Sequence, residues 1–153
     1  PQAGRGLCYE GDMSIWKKPI SVPALTQNHV GTATHHLGLE FVEVGDDFIS
    51  ARIPVDHRTR QPYGLLHGGV SVVLAETLGS CGAHYASPPQ CRAVGLDINA
   101  NHLKGATEGL SLIHISEPDS GRALIRPLRE TAGARCSASL AMAPSPLESQ
   151  SPR

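Results

Sequence analysis

Apolar and polar positions alternate between Leu37 and Val55, then apolar residues crowd together from Gly69 to Tyr85, and that change locates the main elements. Ser14 to Pro23 reads as irregular. Val22 to His36 carries Leu25, His29 and Val30 at helical spacing, which predicts a short helix whose end Gly31 and Thr34 leave open. Leu37, Leu39, Phe41 and Val44 predict a first strand, Gly45-Asp46-Asp47 a turn, and Phe48 to Val55 the hairpin partner. In that partner Ile49, Ala51, Ile53 and Val55 fall on one face and are expected in a core, with Phe48, Ser50, Arg52 and Pro54 on the other. Gly69 to Tyr85 is apolar nearly all round (Val70, Val72, Val73, Leu74, Ala75, Leu78, Cys81, Ala83), the pattern of a buried helix. After Ser87-Pro88-Pro89 come strand candidates at Arg92–Leu103, Leu110–Ser116, Arg122–Arg129 and Arg135–Met142. Thr131-Ala132-Gly133 makes the turn between the last two. A hairpin, one long helix and then strands without intervening helices predict an α+β fold, an antiparallel sheet wrapped on a helix.

At 153 residues the chain suits one domain. Residues 1–12, with three glycines and no period, read as a leader or fragment scar before Met13. The domain is expected over residues 13–143, with 105–130 atypical, and residues 144–153, with three prolines and three serines, as a disordered tail. Thirteen basic residues balance 14 acidic ones, for a net charge of −1, which argues against a nucleic-acid or membrane-surface partner. No run approaches the ~18 apolar residues of a membrane span. The four cysteines, Cys8, Cys81, Cys91 and Cys136, form no C-x-x-C pair. That spacing predicts free thiols rather than a metal site or disulfides, and a cytoplasmic home.

Glu76 stands out chemically. It is the only acid or base, histidines apart, between Arg60 and Arg92, and it sits mid-helix in a segment expected to be dry. A carboxylate there costs several kcal/mol unless it is paired. Ser80 and His84 follow at i+4 and i+8, so one helical stripe carries Glu76, Ser80 and His84. Such an acid is either a catalytic group or a subunit-interface Glu satisfied by an amide or hydroxyl. His67-Gly68-Gly69 lies where the helix begins. First-turn amides lack intrahelical partners, and glycine lets a carbonyl oxygen approach them as in an oxyanion hole. A plain glycine-rich loop feeding a helix is the alternative.

The run Gln61-Pro62-Tyr63-Gly64-Leu65-Leu66-His67-Gly68-Gly69-Val70-Ser71-Val72-Val73-Leu74-Ala75-Glu76-Thr77-Leu78-Gly79-Ser80 strongly resembles the helix segment of hotdog-fold acyl-CoA thioesterases. The likeness is greatest to the 1,4-dihydroxy-2-naphthoyl-CoA hydrolase and enterobactin proofreading branches of that family. Ile15-Trp16-Lys17-Lys18, His36 to Phe41, Gly45-Asp46-Asp47, Pro54-Val55-Asp56 and Val94 to His102 extend it over residues 14–109. The resemblance implies a hotdog fold and hydrolysis of an aryl- or enoyl-type CoA thioester, with a place in menaquinone biosynthesis among the possibilities. It implies no cofactor or metal, CoA being part of the substrate, and a homodimer or dimer-of-dimers tetramer with the site between two copies. Glu76 is then the catalytic carboxylate, as nucleophile or general base. Gly68 gives its N–H to the thioester oxygen, and His67 and Gln61 orient thioester and water. Thr77 and Ser80 lie near the leaving thiolate or the water. Gly95, His102, Leu103 and Lys104 meet the CoA arm, Lys104 as a point charge for phosphate.

Beyond Gly109 the likeness weakens. The family's arginine-rich phosphate motif aligns either with Gly121-Arg122, where Glu117 and Asp119 are acidic, or with a displaced Arg126-Pro127-Leu128. Two other readings stay open: a hotdog dehydratase acting on 3-hydroxyacyl thioesters, and a non-catalytic acyl-CoA-binding protein.

Overall fold

The computed structural model describes residues 14–102, 104–107 and 109, together with the backbone of three later strands. The expected leader, the tail beyond residue 144, Leu103, Gly121 and the turn at 131–133 lie outside the described residues.

The first expected helix is two. Helix α1 (Val22–Asn28) starts at Ser21, whose hydroxyl accepts the Ala24 N–H, with Pro23 in its first turn. Its chain reverses at Gly31, whose φ of +77° an L side chain rarely adopts, before the single turn of α2 (Ala33–His36). Val30 is therefore 55% exposed rather than packed with Leu25. The hairpin is β1 (Glu40–Val44) and β2 (Ile49–Pro54), antiparallel and bulged between Phe41 and Glu43. As its alternation requires, Ile49, Ala51 and Ile53 are fully buried, and Val55 nearly so. Arg52 on the other face is exposed and pairs with Glu40.

Helix α3 (Gly68–Ala86) is followed by β3 (Cys91–His102), β4 (Ser111–Glu117), β5 (Arg122–Pro127) and β6 (Ala134–Pro144). One sheet runs β1-β2-β4-β5 and a second pairs β3 with β6. All pairings are antiparallel, and β5 lies beside β6. Helix α3 packs on β2, β3, β4, β5 and β6, so the sheets wrap it as expected. Leu74 and Leu78 are fully buried among Leu25, Phe41, Ile49, Ile53 and Val55. Each such side chain contributes roughly 1.5–3 kcal/mol of transfer free energy. At the amino end, the Trp16 indole N–H reaches the Gly45 carbonyl at 2.7 Å and closes the hairpin turn.

Helix α3 is not dry on every side. Ser71, Leu74, Ala75, Leu78, Gly79 and Gly82 are buried, whereas Val70, Val72, Val73, Cys81 and Ala83 are half-buried and Glu76 is exposed. The covered face is the one turned to the sheet. Beyond β3, among the described residues, no strand takes the second edge of that twelve-residue strand. Its Val94 and Leu96 are 55% and 73% exposed. Among the described residues no helix is long and apolar enough to cross a membrane.

Candidate active site

The loop entering α3 is tied by one buried hydroxyl. Thr59, 1% exposed, accepts the Asp56 N–H at 3.0 Å and donates to the Pro54 carbonyl at 2.7 Å. Its own carbonyl accepts the His67 N–H at 2.8 Å, which fixes the histidine that caps the helix. Asp56 is anchored by Arg58, whose guanidinium and backbone N–H both donate to the carboxylate, so its pKa is lowered to about 2. Gln61 heads a tight turn in which its carbonyl accepts the Gly64 N–H at 2.9 Å, and the positive φ of Gly64 allows the reversal. A cavity of about 600 Å³ opens there, lined by His57, Arg60, Gln61, Pro62 and Gly64. Tyr63 projects from the turn, 86% exposed.

At the start of α3, His67 Nδ1 accepts the Gly69 N–H at 3.0 Å, so the neutral ring carries its proton on Nε2 and can donate outward. Val70 N–H closes on the His67 carbonyl at 2.9 Å. Among the described residues no acceptor takes the Gly68 N–H, leaving one first-turn amide at the positive end of a nineteen-residue helix. His102, at the end of β3, lies beside it: a Cβ at Gly68 would stand 2.7 Å from His102 Nε2. The sequence pattern gave no sign of that contact, because residues 34 positions apart meet only once the sheet has wrapped the helix.

Glu76 requires a correction. The apolar run around it predicts a buried acid, but its own chain leaves the side chain exposed. The carboxylate lies over β3, where a Cβ at Gly95 would come within 2.5 Å of Oε1. Gly68 and Glu76 are eight residues apart, about 12 Å along the helix axis. A single thioester carbonyl cannot meet both, since reacting atoms must approach to ~3–3.5 Å. Thr77, one position on, is half-buried, and its hydroxyl donates to the Val73 carbonyl at 2.7 Å. Ser80 is half-buried one turn beyond Glu76.

Of the remaining expected contacts, Lys104 is exposed just past β3, and Arg122 opens β5, its side chain lying outside the described residues. Cys81 and Cys91 are free thiols, and burial pushes the Cys81 pKa up to about 12. Among the described residues no three His, Cys, Asp or Glu side chains gather as metal ligands do. One group escaped the sequence reading. The Lys18 ammonium donates to the Cys91 carbonyl at 2.6 Å and to Ser87 Oγ at 3.3 Å, and lies 3.4 Å from a ring nitrogen of His84.

Comparison with known proteins converges on one family. The model of the thioesterase superfamily matches residues 63–123. A putative esterase of Vibrio cholerae is 52% identical over 98 residues, 64% of this chain and 65% of its own length. The 1,4-dihydroxy-2-naphthoyl-CoA hydrolase of Escherichia coli is 47% identical over 95 residues, 62% of this chain and 70% of that protein. Among solved structures, a thioesterase from Haemophilus influenzae superposes with a TM-score of 0.81 at 38% identity, covering 88% of this chain and 97% of that one.

Proposed function

The chain belongs to the thioesterase superfamily, and from that premise we propose that it hydrolyses an acyl-CoA thioester of aryl or enoyl type, releasing a carboxylic acid and free CoA. The observation that carries the reading is the pairing of an unshared Gly68 amide at the start of α3 with the Glu76 carboxylate two turns on, turned outward over Gly95. Because the two stand about 12 Å apart in one chain, the reacting carbonyl meets Gly68 of one copy and Glu76 of a second. The open edge of β3, with Val94 and Leu96 uncovered, offers that second copy a strand to pair with.

In the assembled site Glu76 either attacks the thioester carbon or takes a proton from the attacking water. The Gly68 N–H stabilises the oxygen as charge develops on it, the kind of donor worth about 10²–10³ in rate. His67, its proton on Nε2, orients the thioester, and Gln61 at the cavity mouth orients water. His102, Leu103 and Lys104 follow the CoA arm. The E. coli relative's name makes 1,4-dihydroxy-2-naphthoyl-CoA a candidate substrate.

The test is thiol release from a panel of aryl-, enoyl- and straight-chain acyl-CoAs, with Glu76→Ala alongside. Turnover is expected for at least one member and a loss of at least 10³-fold in the variant, whose melting temperature stays near the parent's. Unchanged turnover in Glu76→Ala overturns the assignment. Water loss from a 3-hydroxyacyl thioester without thiol release makes the protein a dehydratase instead.

A further inference from the structure

The amino-terminal segment lies across the far end of α3 and ties hairpin, helix and strand together. Ile15 N–H donates to the Asp46 carbonyl at 3.0 Å, the Trp16 indole to Gly45, and Lys17 N–H to the Tyr85 carbonyl at 2.9 Å. Tyr85 is in the last turn of α3, where carbonyls lack intrahelical partners, so this strap caps the helix. Lys18 then reaches beyond it. Its half-buried ammonium donates to the Cys91 carbonyl at 2.6 Å and to Ser87 Oγ at 3.3 Å, with the His84 ring 3.4 Å away. Ser87 is the C-cap of α3 and Cys91 the first residue of β3, so one cation bridges helix end and strand start. An ammonium has donors enough for all these acceptors, and positive charge is favoured at the carboxyl end of a helix.

That bridge matters because β3 runs back along α3 and carries Gly95 over the Glu76 carboxylate. Backbone hydrogen bonds do not join a helix to a strand, so β3 keeps its place on α3 by packing and by ties at its ends. The apolar contact at this point is small: Ala75 meets Ile98 and Ala100, apart from the main core. The β3–β6 register also shifts here, between Gly95 and Asp97. In the connecting turn Cys91 N–H closes on the Pro88 carbonyl at 2.9 Å, a single bond that leaves the angle of strand to helix free to vary. Lys18 removes that freedom four residues ahead of Gly95, about 13 Å along the strand. We propose that Lys18 is a positioning residue for thioester hydrolysis: by clamping the start of β3 to the end of α3 it sets where Gly95 lies, and so where Glu76 points. The inference rests on the thioesterase reading, in which Glu76 is the reacting acid, and adds a residue that touches none of the reacting atoms.

The experiment measures kcat and KM for thiol release, on the best substrate of the acyl-CoA panel, in the parent, Lys18→Met, Lys18→Gln and Lys18→Arg. Lys18→Met keeps the length and removes the donors. Its kcat is expected to fall about 10- to 100-fold, since a displacement near 1 Å costs about 10²-fold, while KM stays within about twofold. Lys18→Arg, with cation and donors retained, should recover most of kcat. Lys18→Gln, neutral but still a donor, should fall between the two and replaces Lys18→Met if that variant does not fold. In a Gly95→Ala background, where the carboxylate is already displaced, the same substitution should cost much less than in the parent. An undiminished kcat, a loss confined to KM, or a cost unchanged by Gly95→Ala overturns the proposal, and the loss in Glu76→Ala then leaves the thioesterase reading standing. Thiol release from no member of the panel, or unchanged turnover in Glu76→Ala, overturns both.

Discussion

Glu76 and Gly95 are fitted to each other across α3 and β3: the carboxylate occupies the space a side chain at position 95 would fill, with Oε1 2.5 Å from where a Cβ would be. Gly95 also borders the point where the β3–β6 register shifts, between Gly95 and Asp97. Gly95→Ala should therefore turn the acid away. The atom it strikes is the end of a flexible side chain, so the fold should lose less than about 1 kcal/mol, an ordinary surface effect. Catalysis should suffer far more, since a displacement near 1 Å costs about 10²-fold. Thermal melts beside kcat for thiol release check both halves, and a fall in stability matching the fall in rate would refute the fit.

Gly68 and His102 form a second such pair, at the other end of β3. A methyl group on residue 68 would stand 2.7 Å from His102 Nε2, and the adjoining Gly68 N–H is the proposed oxyanion donor. Gly68→Ala is expected to lower kcat/KM by 10-fold or more by forcing the imidazole and the helix start apart. A His102→Ala background removes the three atoms nearest that methyl, so the cost of the second substitution should shrink. A double-mutant cycle on thiol release measures that coupling.

Much of this was legible from residue patterns, and the misses share one cause. The alternation of Ile49, Ala51, Ile53 and Val55 located the core face of β2 because a strand's period of two is a property of the backbone alone. The helix start at His67-Gly68-Gly69 was legible because a glycine-rich turn ahead of a long apolar run marks where a helix begins. The burial of Glu76 was misjudged because an apolar run does not say how much of the helix the chain's own sheets cover, and Val72 and Val73 on the same helix are only half-covered. Gly31 looked like a loose helix end and is a chain reversal. Lys18 against His84 and His102 against Gly68 join residues 66 and 34 positions apart, and no local pattern encodes such contacts.

Thr59 is a third residue whose role only coordinates reveal, and it sets the loop that carries Gln61 and His67. Its hydroxyl satisfies the Asp56 N–H and the Pro54 carbonyl at once. Thr59→Val keeps the shape and removes both bonds, leaving buried polar groups unpaired at about 1–3 kcal/mol each. Urea denaturation should show a lower midpoint with an unchanged slope, and KM for an acyl-CoA should rise as Gln61 and His67 lose their fixed approach. Thr59→Ser, which keeps the hydroxyl, should recover most of the stability.

Stability should fall with acidity in two separate windows, each with its own residue. Burial, then the nearby Lys18 and Arg92 charges, hold the His84 pKa below its ordinary 6.5. The unfolded chain therefore takes up this proton first as pH falls, so the contribution is whole above about 6.5 and declines below it. Asp56 acts further down: hydrogen bonds from the Arg58 side chain and backbone lower its pKa from 3.8 to about 2. Its contribution is whole above the unfolded value and is lost as pH drops through about 2. The Asp56–Arg58 pair stands in solvent, so that second loss should be small and should shrink further in salt. Chemical denaturation from pH 8 to 2 should thus show the upper slope vanish in His84→Gln and the lower one vanish in Asp56→Asn. An upper slope that persisted in His84→Gln would mean that another group, not the Lys18-facing imidazole, titrates on unfolding.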